Sequence, residues 1–352
     1  MLSEKNVAYK AMSTVLLCFL ATAHAFAQDS TYGNRLASIS VDMSRHLAER
    51  NMPAADGSLG RNREKYFHVR FQMGLHHLAD YGISAKNPEA IDNFVKSVEY
   101  SFRHQQKSGD FTLVIPESIP GKPVPTTGDL ASGVAFFASS LGSGWLAIES
   151  SDWVRTSDAC KRSRDKLETL KPQLGLTLRY LLAHREILAR VDSHAPNRLL
   201  LDALAFDTLG KLLDDAAAAE AASSFVSSAA KQTHEQGYFI EGGGFDSSYN
   251  GVAAAVAFRL VLAGYDNNDL ANLVRRAIQW RKTRILPDGK ISTDGNSRVN
   301  PGGNGESFLG RKKDVDVAHT IEAFTLAAAY FDDPAHEATA KRIFDHYRAN
   351  RR

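Results

Sequence analysis

Apolar residues recur every three or four positions along almost the whole chain, the spacing of helices that bury one face. The pattern predicts helices over about 32–50, 65–81, 87–107, 129–149, 158–191, 198–213, 216–235, 249–264, 267–283, 315–331 and 334–349. Local signals agree. Gly82 and Gly264 follow apolar runs, as C-terminal glycine caps do, and Asn87-Pro88 and Asp333-Pro334 put proline in a first helical turn. The alanine-rich stretch from Asp214 to Ala230 favours helix and carries few large side chains, so it suits close packing on a neighbour. Strand pattern is sparse: two short arms around Pro287-Asp288-Gly289 within 284–292, and 111–115 ahead of a Pro/Gly-rich loop.

Strands and helices do not alternate, which argues against a doubly wound sheet. Many helices joined by loops rich in Gly, Asn and Ser point instead to an all-α fold. The expected architecture is an incomplete or complete (α/α) toroid of helical hairpins with a few short strands in its loops. Such a ring collects its connecting loops at one end, where function concentrates. An open superhelix of helix pairs is the alternative, and no sequence repeat decides between them.

The N-terminus changes the picture of where the chain works. Lys5 and Lys10 precede an apolar stretch from Ala11 to Ala23, and Ala25-Phe26-Ala27 fits a small-x-small cleavage pattern. Residues 1–27 read as a signal peptide and 28–352 as a single catalytic domain, periplasmic or secreted. The apolar run is shorter than the roughly 20 residues that span a bilayer. No later apolar run reads as a span, so the expectation is a soluble mature protein without a membrane partner. Cys18 lies inside the leader, leaving Cys160 alone, which excludes an internal disulfide and argues against a zinc–thiolate site. The formal net charge of +2 argues against a broad basic field for nucleic acid. It leaves room for an acidic ligand held by a few arginines in a cleft. The basic runs Arg281-Lys282-Thr283-Arg284 and Arg311-Lys312-Lys313 read mostly as solvated loop charge. The sequence is silent on oligomeric state.

The segment richest in chemistry runs from Glu235 to Gly251 and contains Tyr238, Glu241, the triglycine Gly242-Gly243-Gly244, Asp246, Tyr249 and Asn250. Three glycines let the backbone approach a ligand closely. Ser247 or Ser248 is placed to cap the following helix, with Tyr249 in its first turn. This segment, then a helix with Arg259, a helical hairpin and the Leu286–Ser292 turn, resembles the helical-toroid polysaccharide lyases, a group acting on alginate, glucuronan and glycosaminoglycans. The likeness covers roughly 237–294.

The resemblance implies β-elimination from a uronate polymer of the alginate or glucuronan type. That reaction needs a base at C5, an acid at the leaving oxygen, and donors that neutralise the sugar carboxylate. Carried over, Tyr249 is the candidate acid and also a candidate base. In the loop Ser193-His194-Ala195-Pro196-Asn197-Arg198, His194 is a candidate base, Asn197 a carboxylate donor, and Arg198 a bidentate partner. The bland reading of that loop is an Asn197 helix cap beside a solvated Arg198. Tyr238, Glu241, Asn250, Arg259 and Arg298 complete the expected substrate contacts. No metal and no cofactor is expected, and the partner is the acidic polysaccharide.

Weaker candidates are His76 and His77, of which only one is expected to face the interior, and Asp314, Asp316 and His319, which read as helix-start residues. Trp145, Trp153 and Trp280 offer sugar-stacking faces, with core packing expected for at least one. Two other functions stay open: a glycoside hydrolase using a carboxylate pair from Glu241, Asp246 and Asp294, and a non-catalytic carbohydrate-binding or polymer-export protein.

Overall fold

The structure, a computed structural model, describes residues 30–64, 66–116, 124–301, 305–308 and 311–350; the expected leader at 1–27 lies outside them. The described residues form α1 (Tyr32–Leu36), α2 (Val41–Glu49), α3 (His76–Ser84), α4 (Pro88–Phe102), α5 (Thr127–Ser150), α6 (Asp152–Thr156) and α7 (Lys161–Ala183). They continue as α8 (Arg185–Val191), α9 (Pro196–Leu213), α10 (Ala216–Ala230), α11 (Ser247–Leu262), α12 (Asn268–Thr283), α13 (Val317–Phe331) and α14 (Pro334–Ala349). A two-residue antiparallel pair, β1 (Ser307–Phe308) and β2 (Arg311–Lys312), precedes α13.

Packing order closes a ring. Helices α3, α5, α9, α11 and α13 each lie against the next, and α2 bridges α13 back to α3. Outside them α4, α7, α10, α12 and α14 pair with the inner helices in the same order. The fold is therefore an all-α toroid of helical hairpins. Burial agrees: in α11 every residue except Tyr249 is buried. Trp145, Phe137, Phe206, Phe258 and Phe324 are fully enclosed, and each such aromatic or large aliphatic side chain contributes about 1.5–3 kcal/mol. At one end α1 plugs the ring. It packs on α3, α5 and α13, and Arg35 donates to the terminal carbonyls of α11 at Val261 (3.3 Å) and Leu262 (3.2 Å). The N-termini of the inner helices gather at the other end.

A repeated turn sets that arrangement, although the sequence showed no clear repeat. After α4, α10 and α12 the chain makes the same tight hairpin, bridged at Gln105–Phe111, Thr233–Phe239 and Ile285–Ile291. Each contains a glycine at φ between +91° and +98° (Gly109, Gly237, Gly289). Each glycine also abuts a carbonyl of the next outer helix: Leu176, Arg276 and Arg342, respectively. A side chain there would meet both the left-handed backbone penalty and a carbonyl oxygen.

Several boundaries differ from the sequence pattern for local reasons. The expected helix 65–81 is a short 3-10 turn, Val69–Gln72, then Gly74 at φ +93°, then α3 starting at His76. The stretch 158–191 breaks at His184, and 32–50 breaks before Val41. Asp246, not a serine, caps α11, accepting from the backbone N–H groups of Ser248 (2.9 Å) and Tyr249 (3.0 Å). The expectation that no later apolar run is long enough to span a bilayer fails at α5. Thr127–Ser150 has the length and composition, but 94% of its most apolar window is buried inside the ring. The 111–115 arm survives only as isolated bridges at Phe111 and Val114.

Candidate active site

Tyr249 opens the site. It sits in the first turn of α11, half-buried, and its hydroxyl donates to Glu306 Oε2 at 2.8 Å. Lys313 Nζ donates to the same hydroxyl and lies 4.4 Å from the ring centre. The Arg298 guanidinium covers the ring at 4.0 Å and pairs with Glu306 Oε1 (2.6 Å) and Glu241 Oε2 (2.9 Å). Burial, then the hydrogen bond to Glu306, raise the Tyr249 pKa, so the resting phenol is neutral. Burial also acts on Glu306, but the bonds from Tyr249 and Arg298 outweigh it and hold that carboxylate ionised. Beside Tyr249 and Lys313 opens a cleft of about 1020 Å³ between α2, α11, α13 and α14, with Phe344 and Tyr347 on its far wall.

The triglycine has a specific task. Gly242 (φ +58°) and Gly243 (φ +82°) are the two central residues of a hairpin closed by reciprocal backbone bonds between Glu241 and Gly244. Two consecutive positive φ values are what a type I′ turn requires. The turn presents Glu241 to Arg298 while enclosing it completely. Burial raises the Glu241 pKa to about 7 against the pull of Arg298. Asp246 ties this hairpin to the next loop: its second oxygen accepts from the backbone of Arg298 (3.1 Å) and Val299 (2.6 Å). That weld places Arg298 over Tyr249.

The turn before α9 meets the same region. The Gln232 side chain donates to the Ser193 carbonyl (2.8 Å), and the backbone N–H of Asn197 faces Glu241. His194 is exposed on the turn. Asn197 is not a cap: the cap position is Ala195, and Asn197 is buried in the first turn with its Oδ1 lacking a hydrogen-bond partner. Arg198 pairs with the buried Asp192 at 2.9 Å. Nearby Asp202 is fully enclosed without a partner, and burial, then Asp192, raise its pKa well above the usual range.

Other expected contacts are structural. Arg259 is 2% exposed and bonds Glu322 Oε1 (2.5 Å), Asp80 Oδ2 (2.6 Å) and the Tyr32 hydroxyl (3.1 Å), so it does not reach a substrate. The Asn250 side chain clamps the backbone of Phe239 and Asp246. Tyr238 stacks on His234 (4.5 Å) and packs on Trp280 and Phe245, a half-buried aromatic cluster beside the triglycine turn. Trp145 is core. Of the carboxylates expected for a hydrolase pair, Glu241 is enclosed, Asp246 spends its oxygens on backbone N–H groups, and Asp294 is exposed.

Both histidines of α3 face inward, contrary to expectation, because they are the first two residues of the helix rather than mid-helix neighbours. Their rings lie 4.0 Å apart, and both approach Glu322 (3.4 and 3.7 Å). Ser140 Oγ accepts from the backbones of Gly74 and His76, so its hydrogen goes to His76 Nδ1 (2.7 Å). That leaves the proton of the neutral ring on Nε2, aimed at Glu322; burial holds the His76 pKa down to about 3. His76, His77 and Asp80 have metal-ligand proximity, but Arg259 already supplies the cation and His76 has no lone pair to offer. His319 is engaged differently: against partial desolvation, Asp316 at 2.8 Å raises its pKa to about 9, and His319 pulls Asp316 down to about 2.

No known family profile matches the chain, and no curated protein matches its sequence. Among the solved structures similar to it are two at low identity. One is a D-mannose isomerase, with TM-score 0.44 and 11% identity over 87% of this chain and 83% of that one. The other is a glycosyl hydrolase family 88 protein from Bacteroides vulgatus, with TM-score 0.39 and 15% identity over 82% and 98%. Neither is a lyase by name, and likeness at this level says nothing of chemistry. The ring rests on its own packing order.

Sequence reasoning missed Glu306 and Lys313. Lys313 sat in a basic run read as solvated charge. Only the register of the β1–β2 hairpin, invisible in the sequence, turns it back onto Tyr249.

Proposed function

We propose that the chain is an enzyme cleaving a uronate-containing polysaccharide of the alginate or glucuronan type by β-elimination, working outside the cytoplasm as its leader pattern suggests. One observation carries the reading: a neutral phenol, Tyr249, is set between two cations, Lys313 and Arg298, and hydrogen-bonded to an ionised Glu306. In elimination the C5 proton leaves to a base, the C4–oxygen bond breaks, and a C4–C5 double bond forms. Tyr249 donates its proton to the departing O4, and Lys313 steadies the phenolate that remains. Arg298, which covers the Tyr249 ring, offers donors to the carboxylate of the sugar being cleaved, lowering the barrier to C5 deprotonation. His194, exposed on the adjoining turn, is the candidate base.

A specific observation favours a second reading. Glu241 and Glu306 share Arg298, one with its pKa raised to about 7 and the other ionised, the division of labour of a hydrolase acid and base. Glu241 is sealed behind the triglycine turn, which favours elimination. Incubation with alginate, glucuronan, hyaluronan and pectate separates the two. Elimination yields an ultraviolet-absorbing unsaturated uronide with each new reducing end. Reducing ends without that absorbance would replace elimination with hydrolysis, and neither product from any polymer would sink both.

A further inference from the structure

Arg70 was given no role by the sequence, and the Tyr249 chemistry does not use it. It lies in the 3-10 turn before α3, while Arg198 lies in the first turn of α9. Both guanidiniums converge on one ring, Phe136 of α5, at 4.3 and 5.8 Å from its centre. Phe136 is 2% exposed, so the ring is a fixed platform. Arg198 spends one nitrogen on Asp192. Among the described residues no carboxylate lies within ion-pair distance of Arg70, which is nonetheless solvent-accessible. Desolvation and the neighbouring Arg198 lower the Arg70 pKa, while Asp192 and Asp129 pull the other way. The buried Asn197 adjoins Arg198 with its Oδ1 unpartnered. Asn197, next to Arg198, turns its backbone N–H to Glu241, and Glu241 pairs with the Arg298 that covers Tyr249, so the pair adjoins the Tyr249 site.

A guanidinium lying over an aromatic face keeps its N–H edge free for the fork-like grip on a carboxylate. Arg198 already holds Asp192, whereas no carboxylate pairs with Arg70 among the described residues, so at Arg70 the ligand supplies what the protein withholds. We propose that Arg70 and Arg198 form a carboxylate subsite for the acid group of a sugar residue next to the one cleaved. The inference rests on the uronate reading above and deepens it: the enzyme requires at least two acidic residues in succession. Asn197 serves a hydroxyl of the same residue.

The test is calorimetric titration of the full-length Tyr249→Phe protein, which prevents turnover, with and without Arg70→Gln or Arg70→Lys. The probes are glucuronan and mannuronan tetramers, with cellotetraose as the neutral partner of the first. Arg70→Gln is expected to weaken an acidic tetramer at least about tenfold, the loss of a charge-assisted contact, and to leave cellotetraose unchanged. Arg70→Lys keeps the charge but loses the fork, and is expected to recover little of the affinity. Unchanged melting temperatures show that the variants fold. Equal affinity in Arg70→Gln, or no binding of either acidic tetramer to the parent, overturns the subsite. Arg70-dependent binding without unsaturated product from the wild type upholds the subsite and sinks elimination. Unsaturated product together with Arg70-independent binding does the reverse.

Discussion

Replacing Arg259 with methionine tests the central claim about the core. Methionine keeps much of the length and removes the charge. In the native ring the guanidinium joins Glu322 at 2.5 Å, Asp80 at 2.6 Å and the Tyr32 hydroxyl at 3.1 Å, with all three charged side chains 4% exposed or less. Burial alone would push both carboxylates up; Arg259 reverses this and keeps them ionised. Removing one partner of a buried pair costs about 3–5 kcal/mol, because the orphaned charge stays desolvated. Here two carboxylates are orphaned, with His76 and His77 beside them and the His319 charge acting on Glu322. In the variant their folded pKa values rise above the unfolded ones. The folded state then binds more protons than the unfolded chain, and stability falls as pH rises. Urea unfolding followed by circular dichroism at pH 5 and pH 8 should show a loss of about 3–5 kcal/mol at the higher pH and a smaller one at the lower. A loss under about 1 kcal/mol, equal at both values, would refute the buried-pair account. It would also return Arg259 to the list of substrate contacts.

Three further outcomes follow from the geometry. Tyr249→Phe should lower elimination by about 10²–10⁴-fold while costing about 1 kcal/mol in stability; turnover within tenfold of wild type removes Tyr249 as the acid. The His319–Asp316 pair has its full value above the unfolded Asp pKa and below the unfolded His pKa, and fades as pH rises through about 9. Both side chains stay partly open to water, so His319→Gln should cost about 1–2 kcal/mol at pH 6 and almost nothing at pH 10. A pH-independent difference in urea midpoint would contradict the pairing. Gly237→Ala places a Cβ 2.7 Å from the Arg276 carbonyl at φ +98°, whereas Gly243→Ala at φ +82° meets nothing within 4 Å. Thermal melts should show the first costing about 2–4 kcal/mol and the second about 1; equal costs would mean the carbonyl contact is unimportant.

Periodicity carried the helices well because an inner helix and an outer helix both leave an apolar stripe. It could not show which breaks interrupt a stripe. Gly74 and His184 stop helices that the pattern runs through, and the first of these breaks turns both His76 and His77 inward. The triglycine segment and the His194–Arg198 turn were legible as chemistry from composition, and they do meet. Their individual roles were not legible, because a charged side chain reads the same whether it is enclosed or offered. Arg259 and Asn250 looked like contacts and are braces. Lys313 looked like solvent charge and touches Tyr249. Deciding between those fates requires knowing which loop lies across which helix end.

The three glycine hairpins bear on how such a ring changes over time. Each fixes the exit of an outer helix against the following one, and a loop of differing length then leads to the next inner helix. The stretch after Phe239 is short, whereas that after Ile291 is long and carries Arg298, Glu306 and Lys313. Insertions and rewrites in these intervals alter what the mouth grips without moving the helices that frame it. Different chemistries can thus be exchanged on one unchanged wheel, and the glycines mark where each exchangeable part begins.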